Sequence, residues 1–258
     1  MVMTYGTIHL FAIQLDIDFY LLVFFCTLAS YCLHWYFTSI EQNFEGLRSS
    51  WNSEHKNLLI ILFVLSLLVI AFVFIVWSKW ILYFVPTAIA TLIYTAPKLP
   101  LQLFKKLEGR ALAKTFYLTS IWVYVTCILP IQIAPIKINK IVISYIICQF
   151  LFVYLICLLF DYRDHKKDNL NFILINTNKH FFKLFQIISA VYLITLAIFY
   201  TISTNLFMSL GFLFSFLVVY LSLKKSINTS SDYWYYFILD GCMMMPTFIY
   251  FVFLLFNK

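Results

Sequence analysis

The strongest chemical signal in the sequence is a charged stretch at residues 161–168, directly after a long apolar run. Its acidic residues are Asp161, Asp164 and Asp168. In an α-helix these three carboxylates fall within an arc of about 60° on one face. Like charges on one face repel each other unless a cation lies between them, and Mg²⁺ favours carboxylate oxygens and bridges them to substrate phosphates. The spacing therefore predicts a divalent-cation site that could serve catalysis on a phosphorylated substrate.

The same stretch has a second interpretation. Arg163, Lys166 and Lys167 lie among the acids, so the cluster could be a solvated, salt-bridged segment at the end of a membrane helix. The residues alone leave both interpretations open.

A basic loop at residues 97–114 is the second candidate element of a site. One interpretation is a loop on the positively charged side of a membrane. The other is a diphosphate clamp, since Lys supplies a point charge and Arg a two-pronged donor to phosphate oxygens. Its basic residues are Lys98, Lys105, Lys106, Arg110 and Lys114.

A weaker pattern lies at the end of the first apolar segment, where His34, Thr38, Glu41 and Glu45 stand at helical spacing on one face. This pattern fits either an amphipathic helix end or a second set of metal ligands formed by His34, Glu41 and Glu45. Both interpretations stay open.

Asp240 stands inside the last apolar segment. A carboxylate at membrane depth costs about 2.5 to 3.5 kcal/mol on insertion scales, so we expect it to face the interior of a helix bundle. Gly241, the next residue, would let a neighbouring helix approach closely.

The composition requires a membrane. The chain of 258 residues is 63% hydrophobic and 11% charged, and its mean hydropathy is +0.91. The apolar content is higher than that of a soluble domain of this size, so we expect a polytopic membrane protein. The net charge of +7 suits loops on one membrane side and does not indicate nucleic acid. The six cysteines all lie in apolar segments and are expected to be small hydrophobic residues.

The hydropathy pattern predicts one all-α transmembrane domain over residues 1–258, with a short N-terminal stub at 1–15 that cannot span a bilayer and shows no cleavable signal peptide. The stub is expected to lie at the interface or to cap the bundle. The eight predicted spans are 18–37, 57–77, 80–96, 115–134, 141–160, 184–202, 206–223 and 233–256.

The distribution of positive charge predicts the orientation. With these eight spans, all of the 18 Lys and Arg residues except Lys79, Lys137, Lys140 and Lys258 fall on one side. Because cytoplasmic loops carry the excess of Lys and Arg, the acidic cluster and the basic loop are expected to be cytoplasmic. We expect an integral protein of a bacterial inner membrane.

The motif Asp161-Tyr-Arg-Asp164-x-x-x-Asp168, at the end of a span with three spans after it, resembles the second aspartate-rich motif of the UbiA superfamily of intramembrane prenyltransferases. The run from Tyr94 to Lys98 and the basic residues after it are similar to that family's central basic loop. The likeness covers about residues 94–168, and the span pattern extends it over most of the chain.

The resemblance implies a helical bundle around a central, lipid-accessible cavity. The family has nine transmembrane helices, so the first would here be missing or reduced to the stub. The family's first acidic motif, Asn-Asp-x-x-Asp-x-x-x-Asp, is degraded, with Leu33, His34, Phe37 and Glu41 at its four defining positions. His34, Glu41 and Glu45 would substitute in part as metal ligands.

The resemblance also implies Mg²⁺ as the cofactor and assigns the roles of the site residues. Asp161, Asp164 and Asp168 would hold the metal and act in catalysis. The residues that would bind the diphosphate are Lys98, Lys105, Lys106, Arg110, Lys114 and Arg163.

We therefore expect an Mg²⁺-dependent enzyme that transfers a prenyl group from a polyprenyl diphosphate to an acceptor within the membrane. The alternative is a non-catalytic UbiA-related membrane protein that binds lipid or acts as an accessory factor. The expected partners are the polyprenyl diphosphate, the acceptor and the lipid bilayer, without nucleic acid.

Overall fold

A computed structural model of the chain describes residues 1–38, 51, 54–95, 111–134, 136–168, 178–228, 231 and 233–256. Every regular element in these ranges is helical, as predicted. The α-helices are α1 Val2–Leu10, α2 Ile17–Thr38, α3 Lys56–Val76, α4 Ile81–Thr95, α5 Ala111–Val123, α6 Leu129–Ile133, α7 Lys140–Asp168, α8 Asn178–Ser203, α9 Leu206–Asn228, α10 Asp240–Cys242 and α11 Met245–Phe256. Two π-helical turns interrupt them, the first at Tyr124–Ile128 and the second at Trp234–Leu239.

In the described part of the chain, six helices are long and apolar enough to cross a membrane, and a bent pair near the end makes up to seven. Many large side chains of α3, such as Ile61, Leu68 and Ile75, are exposed. Exposed apolar surface on this scale is compatible with an integral membrane protein, where lipid covers it. The six helices are Ile17–Phe37, Lys56–Val76, Thr115–Ile133, Lys140–Arg163, His180–Ser203 and Leu206–Ser226.

The predicted third span, residues 80–96, is not among these six. A 3₁₀ turn at Ser78–Trp80 leads into α4, and the described side chains show a shorter apolar helix over Ser78–Ile93. The backbone of α4 is helical as far as Thr95, the last residue described before residue 111. The predicted number of eight spans is therefore not confirmed.

The predicted last span is a bent pair of helices. Trp234–Cys242 and Met245–Phe256 meet at an angle of 50°. Pro246 has no amide hydrogen to donate to the carbonyl of Cys242, and the amides of Met243 and Met244 bond only three residues back, to Asp240 and Gly241. The missing bond and the tightened turn together account for the bend.

The chain divides into two compact units. The first contains α2, α3, α4 and α6, and the second contains α1, most of α5 with the first π turn, α7 to α9 and the bent pair. In the first unit α2 and α3 are antiparallel, because the indole nitrogen of Trp77 at the end of α3 donates to Asp18 near the start of α2 at 2.7 Å. Ser30 of α2 contacts Thr91 of α4 at 3.4 Å between hydroxyl oxygens. The prediction of a single domain stays a prediction.

Aromatic side chains form the core of the second unit. Tyr145 and Phe152 of α7 contact Phe212 of α9, with ring centroids 5.9 and 6.2 Å apart. Tyr192 of α8 is fully buried and donates its hydroxyl to the carbonyl of Phe212 at 3.1 Å. Since every buried polar atom needs a partner in an apolar bundle, this bond fixes α8 against α9.

The N-terminal stub is largely helical as α1, whose inner face is buried in the second unit. The hydroxyl of Thr7 lies 2.9 Å from that of Tyr145 and 3.7 Å from the thiol of Cys127 in the first π turn. On α11, the hydroxyl of Tyr250 lies 3.2 Å from Nδ1 of His9. α1 therefore packs into the second unit.

Close helix approach occurs at Gly211, and not at Gly241 as expected. A Cβ atom on Gly211 of α9 would stand 3.3 Å from the carbonyl carbon of Pro246 and still closer to its oxygen. A Cβ atom on Gly241 would meet nothing within 4 Å, so the expectation for Gly241 was wrong. The bend places backbone, and not a movable side chain, against α9.

Gly211→Ala should lower the free energy of unfolding by about 1 to 3 kcal/mol, because the Pro246 carbonyl cannot move aside as a side chain can. The measurement is thermal unfolding in detergent, followed by circular dichroism. Gly241→Ala is the matched control and should melt at or above the wild-type temperature, because it adds helix propensity without a clash. Equal melting of both variants would contradict the proposed contact.

Candidate functional site

The acidic cluster belongs to a continuous helix. α7 runs from Lys140 to Asp168, so the helix extends two turns beyond Phe160, where the predicted span ends. Residues 161–168 contain neither Gly nor Pro, and therefore nothing in them breaks the helix. The helical backbone places positions 161, 164 and 168 on one face, as the spacing predicted.

The acidic face continues into the apolar part of α7. Cys157 and Tyr154 lie one and two turns before Asp161 at nearly the same azimuth, and both are within electrostatic range of its carboxylate. Cys157 is also within electrostatic range of Asp240. Asp240 thus acts on the same buried thiol as Asp161 does, and its expected orientation towards the interior stays a prediction. Asp240 was not predicted as a site residue.

Arg163 is enclosed by aromatic rings, although it lies in a charged stretch. Its side chain is only 5% exposed. The guanidinium carbon lies 5.4 Å from the ring centroid of Phe160, 4.6 Å from that of Tyr235 and 4.7 Å from that of Tyr236. Its Nη2 donates to the hydroxyl of Tyr236 at 2.9 Å. Cation–π attraction and this hydrogen bond replace part of the hydration that burial removes. We call these four residues the Arg163 cage.

The second π turn brings two consecutive tyrosines to Arg163. Tyr235 is fully buried and donates its hydroxyl to the carbonyl of Ser226 in α9. Trp234 donates its indole N–H to the hydroxyl of Ser226 at 3.0 Å, and the ammonium of Lys225 lies 4.0 Å from a Trp234 ring centroid. The turn is thus fixed to α9 on one side and to α7 on the other.

Most of the other predicted site residues lie outside the described residues or are described by their backbone alone. His34 lies in α2, with its ring edge-on to that of Trp35 at 5.6 Å. The assignments of these residues, and a metal site shared by His34 and Asp161, stay predictions. The residues outside the described part are Glu41, Glu45, Lys98, Lys105, Lys106 and Arg110, and those with backbone alone are Lys114, Asp164 and Asp168.

The described side chains contain no group of three or more His, Cys, Asp or Glu residues close enough to hold a metal ion. Positions 161, 164 and 168 share one backbone face, and carboxylates are the oxygen donors that Mg²⁺ prefers. The magnesium site stays a prediction.

The tyrosines of the cage were not predicted from the sequence. The available signal was Arg163 itself, a cation close to an apolar span that needs partners when it is buried. Tyr235 and Tyr236 open the last span and are the type of residue that solvates a guanidinium. Spacing along the chain could not pair them, because 73 residues separate Arg163 from Tyr236.

No protein-family model matches the chain, and no similar curated protein or solved structure was found. The chemistry of the site therefore rests on its own residues.

Tyr235→Phe should lower the free energy of unfolding by about 1 kcal/mol, because the buried Ser226 carbonyl loses the hydrogen bond from the Tyr235 hydroxyl. The measurement is the melting temperature in detergent. Tyr233→Phe is the control, since Tyr233 is 65% exposed and stacks on Phe237 nearby. If both variants melt like the wild type, the junction between the second π turn and α9 does not stabilise the fold.

Proposed function

We propose that the chain is a prenyltransferase of the UbiA type, which transfers a prenyl group from a polyprenyl diphosphate to an acceptor within the membrane. In this reaction the bond between the first prenyl carbon and the diphosphate oxygen breaks, and diphosphate leaves with the electron pair. A nucleophilic atom of the acceptor then bonds to that carbon and loses a proton.

One observation carries the proposal. The Asp161-Tyr-Arg-Asp164-x-x-x-Asp168 motif lies on a continuous helix, directly at the end of the apolar span Lys140–Arg163. A prenyl diphosphate has a charged head and a long apolar tail. A carboxylate face that passes without a break into an apolar helix surface suits both parts of such a molecule.

The roles in the proposed site follow from charge. Asp161, with Asp164 and Asp168, would hold Mg²⁺, which neutralises the leaving diphosphate when it is bound. The basic residues between positions 97 and 114, of which Lys114 lies in α5 and not in a loop, would bind the phosphate oxygens. On the acidic face, Tyr154 and Cys157 lie towards the apolar part of α7, where the tail would be shielded from water.

The bias of Lys and Arg residues supports an orientation with the acidic cluster on the cytoplasmic side, and we place the protein in a bacterial inner membrane. The polyprenyl diphosphate and the acceptor would then reach the site either laterally from the lipid or directly from the cytoplasm.

Asp161→Asn should weaken the Mg²⁺-dependent binding of farnesyl diphosphate by about tenfold or more, because the amide keeps the shape of the side chain but removes the charge that binds the metal. The measurement is a binding titration on the purified full chain at fixed millimolar Mg²⁺. Glu54→Gln is the control, since Glu54 is an exposed acid outside the proposed site and should leave binding unchanged.

Failure of the wild-type protein to bind farnesyl diphosphate at millimolar Mg²⁺ would contradict the proposal. A second candidate, a non-catalytic relative that binds isoprenoid lipid, is favoured by His34, Phe37 and Glu41 at positions where the family has three aspartates. Binding that is equal with and without Mg²⁺, and that Asp161→Asn does not change, would support this second candidate.

A further inference from the structure

The Arg163 cage lies on the other side of α7 from the acidic face. At about 100° per residue, Arg163 is displaced from Asp161 by about 160° around the helix axis. Arg163 is 5% exposed, and the rings of Phe160, Tyr235 and Tyr236 surround its guanidinium. It is therefore poorly placed for the direct contact with diphosphate that we assigned to it from the sequence.

The cage joins three elements at one end of the second unit. Arg163 and Phe160 belong to α7, Tyr235 and Tyr236 belong to the second π turn, and Ser226 of α9 accepts the hydroxyl of Tyr235. A planar guanidinium held by rings and by a hydrogen bond to the Tyr236 hydroxyl restricts rotation of α7 about its own axis. The anchored residue lies within the same helical turns as Asp161.

We propose that Tyr235 and Tyr236 are positioning residues, which hold Arg163 and thereby set the azimuth at which α7 presents Asp161, Asp164 and Asp168. This inference rests on the proposed function. A functional site requires its groups to stay within about 10 to 20° of the productive geometry, and a cage on the opposite face of the same helix supplies that restraint. Arg163 then acts on the diphosphate through the carboxylates and not by contact.

The second π turn supplies two of the three rings of the cage. In a π helix consecutive residues are about 80° apart, and its widened turn lets Tyr235 and Tyr236 both face Arg163. The hydroxyl of Tyr235 donates to the Ser226 carbonyl, and this bond fixes the cage to α9. Such turns occur frequently at functional sites.

The first experiment tests the anchoring alone, without substrate. Tyr236→Leu removes a ring and a hydroxyl from the cage, and it should raise amide hydrogen exchange in residues 161–168, measured by mass spectrometry on the full chain in detergent. Tyr233→Leu is the matched control, since it removes an exposed tyrosine from the same segment. Unchanged exchange in Tyr236→Leu would overturn the anchoring step, whatever the function of the protein.

The second experiment tests the effect on the site. The probe is farnesyl diphosphate, titrated with Mg²⁺ on the wild type and the variants. Tyr236→Leu should raise the Mg²⁺ concentration at half-maximal binding by about threefold to tenfold, because misplaced carboxylates bind the metal less well. Excess Mg²⁺ should restore the affinity for farnesyl diphosphate.

Conservative variants separate positioning from other roles. Tyr236→Phe keeps the ring and should shift the Mg²⁺ midpoint by only about twofold, while Arg163→Lys keeps the charge but loses the planar stack and should behave like Tyr236→Leu. A direct diphosphate ligand would give the opposite result, with Arg163→Lys weakened at saturating Mg²⁺ and both Tyr236 variants unchanged. A lower melting temperature with an unchanged Mg²⁺ midpoint would also overturn the inference.

The wild-type titration distinguishes failure of the inference from failure of the proposed function. If the wild type binds farnesyl diphosphate with Mg²⁺ and the cage variants match it, only the inference fails. If the wild type does not bind, the proposed function fails and the positioning role fails with it.

Discussion

The candidate site depends on the contacts that enclose the buried guanidinium of Arg163. A full charge at the end of an apolar bundle cannot be left without solvation, and a cage of three rings and a hydroxyl supplies it here. That requirement determines the local structure. The second π turn brings two adjacent tyrosines to the guanidinium, and Ser226 of α9 holds one of them in place. The acidic face of α7 is rigid to the extent that this cage is rigid.

Hydrogen bonds between buried polar groups also connect helices elsewhere in the second unit. Two of the hydrogen bonds among the described residues join helices through buried hydroxyls, from Thr7 to Tyr145 and from Tyr192 to the Phe212 carbonyl. In an apolar environment such bonds replace water as the partner of the polar atoms they join, so they favour the packing of these helices against each other. Where no side chain intervenes, at Gly211, the backbone of the bent pair lies directly against α9.

Hydropathy predicted six of the spans well, because long apolar runs bounded by charge have few alternatives in a membrane. Hydropathy did not predict a feature that depends on the backbone. Pro246 turns the last predicted span into a bent pair. The face formed by Asp161, Asp164 and Asp168 followed from the spacing, because helical periodicity is local. The cage could not be predicted from spacing, because it joins residues from distant parts of the sequence. A π turn, moreover, has no periodic sequence pattern.

The position of the carboxylates within α7 bears on what they can bind. They occupy one face of the helix beyond its apolar part. Helix N-termini bind phosphate directly, whereas a helix face that carries several carboxylates repels it. The positive charge of Arg163, in the same stretch, is enclosed by aromatic rings. A bound divalent cation would remove the repulsion between this face and a diphosphate, which is why the proposed function includes Mg²⁺. The carboxylates also attract such a cation without any substrate, because their charges are opposite in sign.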